Sequence, residues 1–238
     1  MMVVAIHQPN FFPWLGFFDK IARSDVFILL DHVQFQKTGG TWSNRVKLLV
    51  SGEARWVTAP IERSFHGVRP LCEMEFQETQ PWREKLLKSL AANYVRAPFY
   101  RETLAFFEPL ILNPENNLAR YNGAAVMDIA KRLGLSGEKF RWSSEMSVDK
   151  QASEMLISLT RAVGGDAYMC GGGAVGYQED ALFAAAGIDL TYQNFQHPVY
   201  EQLAGQDFVA GMSIIDAFMY CGLSGVRSIL KDGIKVSR

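Results

Sequence analysis

His7-Gln8-Pro9-Asn10 closes the first apolar run of the chain, Val3 to Ile6. An imidazole and two amides at a strand end can hold phosphate oxygens or a sugar hydroxyl. His7 titrates close enough to neutrality to move a proton. The plainer reading is a turn capped by side-chain bonds to the backbone. Asp31-His32-Val33-Gln34-Phe35-Gln36-Lys37 closes the second apolar run. There Asp31 can orient a histidine, and Gln34 and Lys37 can hold an anion; a solvated loop is the alternative. Trp42-Ser43-Asn44-Arg45-Val46-Lys47 combines an aromatic face, an amide and a planar guanidinium fork suited to carboxylate or phosphate. A strand with exposed basic residues at alternate positions explains Arg45 and Lys47, but leaves Trp42 and Asn44 over.

Tyr168-Met169-Cys170 runs into Gly171, Gly172 and Gly173, then Ala174 to Tyr177. Glycines after a strand and before a helix let a ligand approach the backbone, and exposed amides at a helix start favour an anion. Neither the dinucleotide fingerprint nor the P-loop spacing is met. Cys170 is either a thiolate nucleophile favoured by a helix N-terminus or a buried, inert thiol. His197-Pro198-Val199-Tyr200, with Gln202 beyond, follows the last predicted strand and can reach the same edge as the glycines. A proline-fixed turn with Tyr200 packed inside is the alternative. Ser143-Ser144-Glu145 either joins the site or caps the next segment. Ser213 to Asp216 has the pattern of a helix start, with Ser213 as N-cap and Asp216 complementing the dipole. His7, His32 and Asp31 make a metal set only if their loops converge, and no metal site is assigned.

The elements that must position these residues alternate. Val3 to Ile6, a helix over Trp14 to Ala22 and Val26 to Leu30 form a βαβ unit, expected to give a parallel pair. Val46 to Val50 and Arg55 to Ile61 are predicted strands around a Ser51-Gly52 turn. Helices are predicted over Trp82 to Tyr94, Tyr100 to about Leu112, and Asn117 to Leu133, the last ended by Gly134. A strand at Phe140 to Ser143 and a helix over Lys150 to Val163 follow. Then come a strand at Ala167 to Cys170, a helix from Gln178 to Ala186 and a strand at Ile188 to Phe195. Short helices at Ser213 to Tyr220 and Val226 to Leu230 close the chain. The pattern predicts an α/β class with a mainly parallel sheet. Residues 82–133 are expected to pack as a helical middle insertion or side layer within one domain spanning 1–238.

A net charge of -1 gives no electrostatic case for nucleic acid. Three widely spaced cysteines, Cys72, Cys170 and Cys221, make neither a disulfide framework nor a zinc signature, and fit reduced thiols. The apolar N-terminus lacks a basic leader and a cleavage site, and His7 to Asn10 interrupt it. No stretch reaches the roughly 20 apolar residues of a membrane helix. A cytoplasmic location is expected.

Together these segments resemble the WbqC-like protein family. The resemblance is carried by His7 to Lys20, Ser24-Asp25-Val26-Phe27, Asp31 to Phe35, Trp42, Asn44 to Lys47 and Ser143 to Glu145. It continues through Gly165 to Tyr168, Gly171 to Tyr177, His197 to Gln202 and Ser213 to Asp216. Cys170 stands where the family usually has Ser, Gly172 where it has Pro, and Tyr220 where it has Asn. The resemblance implies a transferase of bacterial surface-polysaccharide (O-antigen) biosynthesis, moving an aminoacyl or acyl group onto an amino sugar or carrier. It implies catalytic roles for His7, Asp31 and His197. Substrate contacts are expected from Gln8, Asn10, Gln34, Lys37, Trp42, Asn44 and Arg45, and from Ser144, Glu145, Cys170, the glycine loop with Tyr177, and Tyr200. The partner implied is a small molecule, a nucleotide-sugar or an acyl carrier; the cofactor stays open. The first unit is also distantly similar to the Rossmann-like fold of cytidylyltransferases and pantothenate synthetase, with one histidine, His7, of their usual pair. That similarity keeps nucleotidyl transfer or ATP-dependent ligation as an alternative, beside a non-catalytic module of a biosynthetic complex.

Overall fold

The computed structural model describes residues 1–36, 41–135, 137–148, 150–171, 180–202 and 207–236. Its centre is a sheet of β1 (Val3–His7), β2 (Val26–Leu29), β5 (Phe140–Trp142), β6 (Ala167–Cys170) and β7 (Asp189–Tyr192). The spatial order is β5-β2-β1-β6-β7 and every pairing is parallel. Numbered within the sheet, this is the 3-2-1-4-5 order of doubly wound folds. Strand side chains alternate between two covered faces. Ala5, Phe27 and Leu29 face α1 (Leu15–Arg23), through Phe17, Phe18 and Ile21. Val4, Ile6, Val26, Ile28 and Tyr168 face α5 (Ala152–Ala162) and α6 (Asp180–Ala185). Burial on both faces is why the central strands β1, β2 and β6 are largely apolar runs.

Between β2 and β5 the chain adds an antiparallel hairpin and three helices. The hairpin pairs β3 (Arg45–Val50) with β4 (Glu53–Thr58). Its two-residue turn holds Ser51 at φ 54° and Gly52 at φ 78°, the left-handed pair that matches strand twist. The helices are α2 (Trp82–Tyr94), α3 (Tyr100–Ile111) and α4 (Leu118–Leu133). Asn117 caps α4 by accepting from the Arg120 amide, and Gly134 ends it at φ 83°. The last helix, α7 (Ile214–Val236), packs on α1 and α3.

Three elements differ from the sequence expectation. β7 stops at Tyr192 because its partner β6 ends at Cys170, opposite it. β4 stops at Thr58, before Pro60; the Ala59 amide turns back to the Asn44 carbonyl at 2.8 Å. The two C-terminal helices form one longer element that breaks at Gly222, where φ is 64° and ψ 176°.

Candidate functional site

In a sheet of this order the crevice opens where successive connections leave in opposite directions, at the carboxyl ends of β1 and β6. His7 ends β1 there and is partly exposed. Its Nδ1 lies 3.0 Å from the Gln8 carbonyl. A carbonyl only accepts, so Nδ1 carries the proton and Nε2 keeps its lone pair. The ring meets Phe17 and Trp14 edge-on, with centroids at 4.8 and 6.0 Å. Burial, with the nearby charge of Lys20, pushes its pKa down to about 3, so the imidazole is neutral at ordinary pH. Lys20, on α1, is 3% exposed and donates to the Ile6 carbonyl at 3.0 Å. Burial pulls its pKa down to about 8. Cys170, fully buried at the end of β6, donates weakly to the Thr191 carbonyl at 3.5 Å. Burial pushes the thiol up, with Lys20 opposing.

A wall of aromatic and basic side chains stands beside this crevice. Trp14 meets Trp42 at 4.6 Å, and Trp42 meets Trp56 at 4.7 Å. The hairpin places Trp56 opposite Lys47, so Arg45 and Lys47 lie over its ring at 4.2 and 5.5 Å. Trp56 stays 39% exposed. Phe195 closes over Gly16, where a Cβ would sit 2.7 Å from its ring, and His197 packs edge-on against Phe195 at 5.0 Å. Burial, then Lys47, lowers the His197 pKa. The wall is anchored by Ser213. Its amide donates to the Lys47 carbonyl at 2.9 Å and its hydroxyl to the Phe12 carbonyl at 2.7 Å. Phe12 is buried at φ 41°, a left-handed conformation that costs a non-glycine residue roughly 1–3 kcal/mol.

A second cluster forms at the ends of β2 and β5. Asp31 is fully buried. One carboxylate oxygen accepts from the Ser143 hydroxyl at 3.0 Å and the Ser144 amide at 2.8 Å; the other accepts from the Ser144 hydroxyl at 2.7 Å. The Ser143 hydroxyl therefore gives its proton to Asp31. It accepts from the Asp31 amide at 2.9 Å and from His32 Nδ1 at 2.6 Å. That assigns the His32 proton to Nδ1 and leaves Nε2 bare, buried and without a partner among the described residues. Glu145 is exposed and pairs with Arg120 at 3.1 Å.

Residues 8–228 match the model of the WbqC-like protein family, nearly the whole length. The chain belongs to the WbqC-like family. This WbqC-like protein is also similar to the uncharacterized protein Rv1507c of Mycobacterium tuberculosis. The two are 29% identical over 225 residues, covering 93% of this chain and 95% of that one. No solved structure matches it. Among its described residues no helix is long and apolar enough to cross a membrane, and no three of His, Cys, Asp and Glu group to hold a metal ion.

The WbqC-like chain thus gathers His7, Trp42, Arg45, Cys170 and His197 around the crevice, and Asp31, Ser144 and Glu145 one strand away. Gln8 lends its carbonyl to His7, Asn10 is buried, and Gly171 is the last described residue after β6. Asn44 is buried, with its amide donated to the Ala59 carbonyl at 3.0 Å. The Tyr200 hydroxyl is given to buried Asp216 at 2.7 Å. Gln34 is exposed and bridges to Pro70. Lys37, Gly172, Gly173 and Tyr177 lie outside the described residues. Sequence reasoning assigned no site role to Lys20, Trp14 or Trp56, and left His32 as a conditional metal ligand and Lys47 as an exposed basic strand residue. Lys20 had one signal: a cation enclosed by the apolar positions of an amphipathic helix. Trp56 had another, standing one cross-strand step from Lys47 once the Ser51-Gly52 turn fixes the register. A cavity of about 710 Å³ between the hairpin turn and the α2–α3 corner, lined by Asn93, Arg96 and Gln202, is separate from this chemistry.

Proposed function

We propose that this protein is a cytoplasmic group transferase that moves an acyl or aminoacyl group onto the amine of an amino sugar, in the building of a bacterial surface polysaccharide. The sugar is presented as a nucleotide-sugar or on a carrier. One observation carries the reading: a neutral His7 with a bare Nε2 lies beside a wall of three tryptophans bearing Arg45 and Lys47. Tryptophan faces suit the CH surface of a sugar or the face of a base. Arg45 and Lys47 suit the linking phosphates. As the amine attacks the acyl carbonyl carbon, His7 or His197 takes the amine proton, the bond between the acyl carbon and its donor carrier breaks, and that acyl carrier leaves with the bonding electrons. Burial is the main cause of the low His7 pKa and the Lys20 charge the second, so a phosphate drawn in beside Lys20 offsets the smaller part and makes His7 a stronger base when substrate is bound. Asp31 acts from one strand away by fixing Ser143, and through it His32.

The 3-2-1-4-5 strand order favours a second reading, nucleotidyl transfer or ATP-dependent ligation, because nucleotides bind at this switch point in such sheets. Thermal shifts separate the readings, since a ligand of the native state raises stability. UDP- and TDP-linked amino sugars and acyl carriers are tested against ATP and CTP with magnesium. A nucleotide-sugar or carrier shift, lost in Arg45→Ala and weakened in His7→Ala, is expected. A shift with ATP or CTP alone replaces the transferase reading with the nucleotidyl one. Silence across the panel removes both and leaves the non-catalytic module.

A further inference from the structure

Lys20 is 3% exposed, yet among the described residues it has one hydrogen-bond acceptor, the Ile6 carbonyl. An ammonium carries three N–H groups. Buried charges in folded proteins are paired or neutralised, because an unpaired one costs far more than a lost hydrogen bond. No carboxylate among the described residues stands within ion-pair distance of this amine. The neighbouring Asp19 is turned away, bound to Arg23 at 3.4 Å and to Gln193 at 2.8 Å. Among the described residues the ionisable groups that face Lys20 are His7 from β1 and Cys170 from β6. The first is a neutral imidazole and the second a protonated thiol, so neither supplies negative charge. The amine therefore lies at the carboxyl ends of the two central strands, with a charge and two N–H groups unmatched among the described residues. His7 beside it is partly exposed, so the crevice opens there.

We infer that the crevice between β1 and β6 contains an oxyanion subsite built on Lys20, which takes a phosphoryl or carboxylate group of the substrate. The inference deepens the transferase reading and rests on it for the identity of the substrate. The subsite itself is a statement about binding and is tested without turnover. The bland alternative is that Lys20 only ties α1 to β1 through the Ile6 carbonyl. The two differ in what Lys20→Met does. A tether that is lost lowers stability and leaves anion binding unchanged. An unmatched buried charge that is lost leaves the free protein at least as stable, since an apolar side chain of similar length replaces it.

The test uses the full chain, inorganic phosphate and acetate at fixed ionic strength, and thermal unfolding at about pH 7. Phosphate is expected to raise the wild-type Tm by roughly 5–10 °C at a hundredfold excess over Kd. Lys20→Met is expected to lose that shift while its own Tm does not fall. A shift with acetate in place of phosphate keeps the subsite and assigns it to a carboxylate. A second measurement needs no variant. The Lys20 pKa is about 8 in the folded free protein, against 10.5 as its ordinary value. The wild-type phosphate shift should therefore fade as pH rises towards about 10, although phosphate is no less charged there. A shift that persists in Lys20→Met, a shift that does not fade with pH, or no wild-type shift with either anion overturns the subsite. Failure of nucleotide-sugar turnover with the anion shift intact would remove the transferase reading and leave the subsite.

Discussion

Burial decides what each ionisable side chain can do at the carboxyl edge of this sheet. His7 and His32 both follow apolar strands, and in sequence they are equivalent. Their surroundings separate them: His7 gives its Nδ1 proton to a backbone carbonyl, His32 to a serine that answers to Asp31. The sequence showed Asp31 and His7 leaving neighbouring parallel strands, and they do. It had no means of showing that Ser143, 112 residues on, joins Asp31 to His32. His7 yields a prediction with a definite sign. Its folded pKa is about 3, below the ordinary 6.5, with burial the main cause and the Lys20 charge second. The unfolded chain takes up this proton below about pH 6.5 and the folded chain does not, so stability falls as pH drops towards 3. After allowance for its partial exposure, His7 should account for about 2 kcal/mol of the loss between about pH 7 and pH 4. Urea midpoints at the two pH values should show a smaller acid loss in His7→Gln than in the wild type. Parallel losses would mean that His7 is not held neutral by the fold.

Elements were legible where their cause is local. The β-branched run of β1, the amphipathic stripe of α1, the Ser51-Gly52 turn and the Gly134 cap each lie within a few residues of the structure they specify. The three middle helices follow from the same signals. Where a boundary depends on a partner, the sequence ran past it, as with β7, whose length is set by β6. The position of the hairpin was beyond local reading too. Arg45 and Lys47 had the pattern of exposed basic residues on a strand, and only the long contact through Trp42 to Trp14 turns that face to the crevice. Close approach between elements gives a test at this scale. A Cβ at Gly123 on α4 would overlap the Trp142 ring and come within 3.2 Å of Leu29. Trp142 lies beneath the Arg120 guanidinium at 4.2 Å and directly precedes Ser143, the anchor of Asp31. Gly123→Ala should destabilise the protein by about 1–3 kcal/mol through overpacking. It should also change the near-ultraviolet tryptophan signal. An unchanged melt and spectrum would show that the helix can shift to make room.

At the scale of the molecule, the problem is holding a two-stranded hairpin against the edge of a sheet it does not join. An isolated hairpin is marginal in water, so contacts from elsewhere must hold this one. α7 supplies them at its first turn. Ser213 binds the Lys47 and Phe12 carbonyls, and three residues later Asp216 sits fully buried. Asp216 accepts from the Tyr94 hydroxyl at 2.9 Å, the Tyr200 hydroxyl at 2.7 Å and the Gln202 amide at 3.0 Å. The Tyr94 oxygen in turn accepts from the Leu49 amide of β3 at 2.9 Å. One carboxylate thus joins α7, the end of α2, the segment after β7 and the hairpin. In sequence Asp216 needs no more than a helix start to explain it, because its partners come from two other segments, the end of α2 and the stretch around Tyr200 and Gln202. The Tyr94 hydroxyl is the link that reaches the hairpin. Tyr94→Phe leaves the Leu49 amide without its acceptor and removes one of the three bonds that offset the cost of burying Asp216. The folded state should lose about 2 kcal/mol, as is usual when a buried donor loses its partner. Urea unfolding should show a lower midpoint with an unchanged slope, since the surface exposed on unfolding is the same. Arg45, Lys47 and Trp56 are untouched by the substitution, so a nucleotide-sugar shift should survive in the variant below its new melting point. An unaltered midpoint would mean that water reaches the Leu49 amide, and that the Ser213 contacts hold the hairpin without help from Asp216.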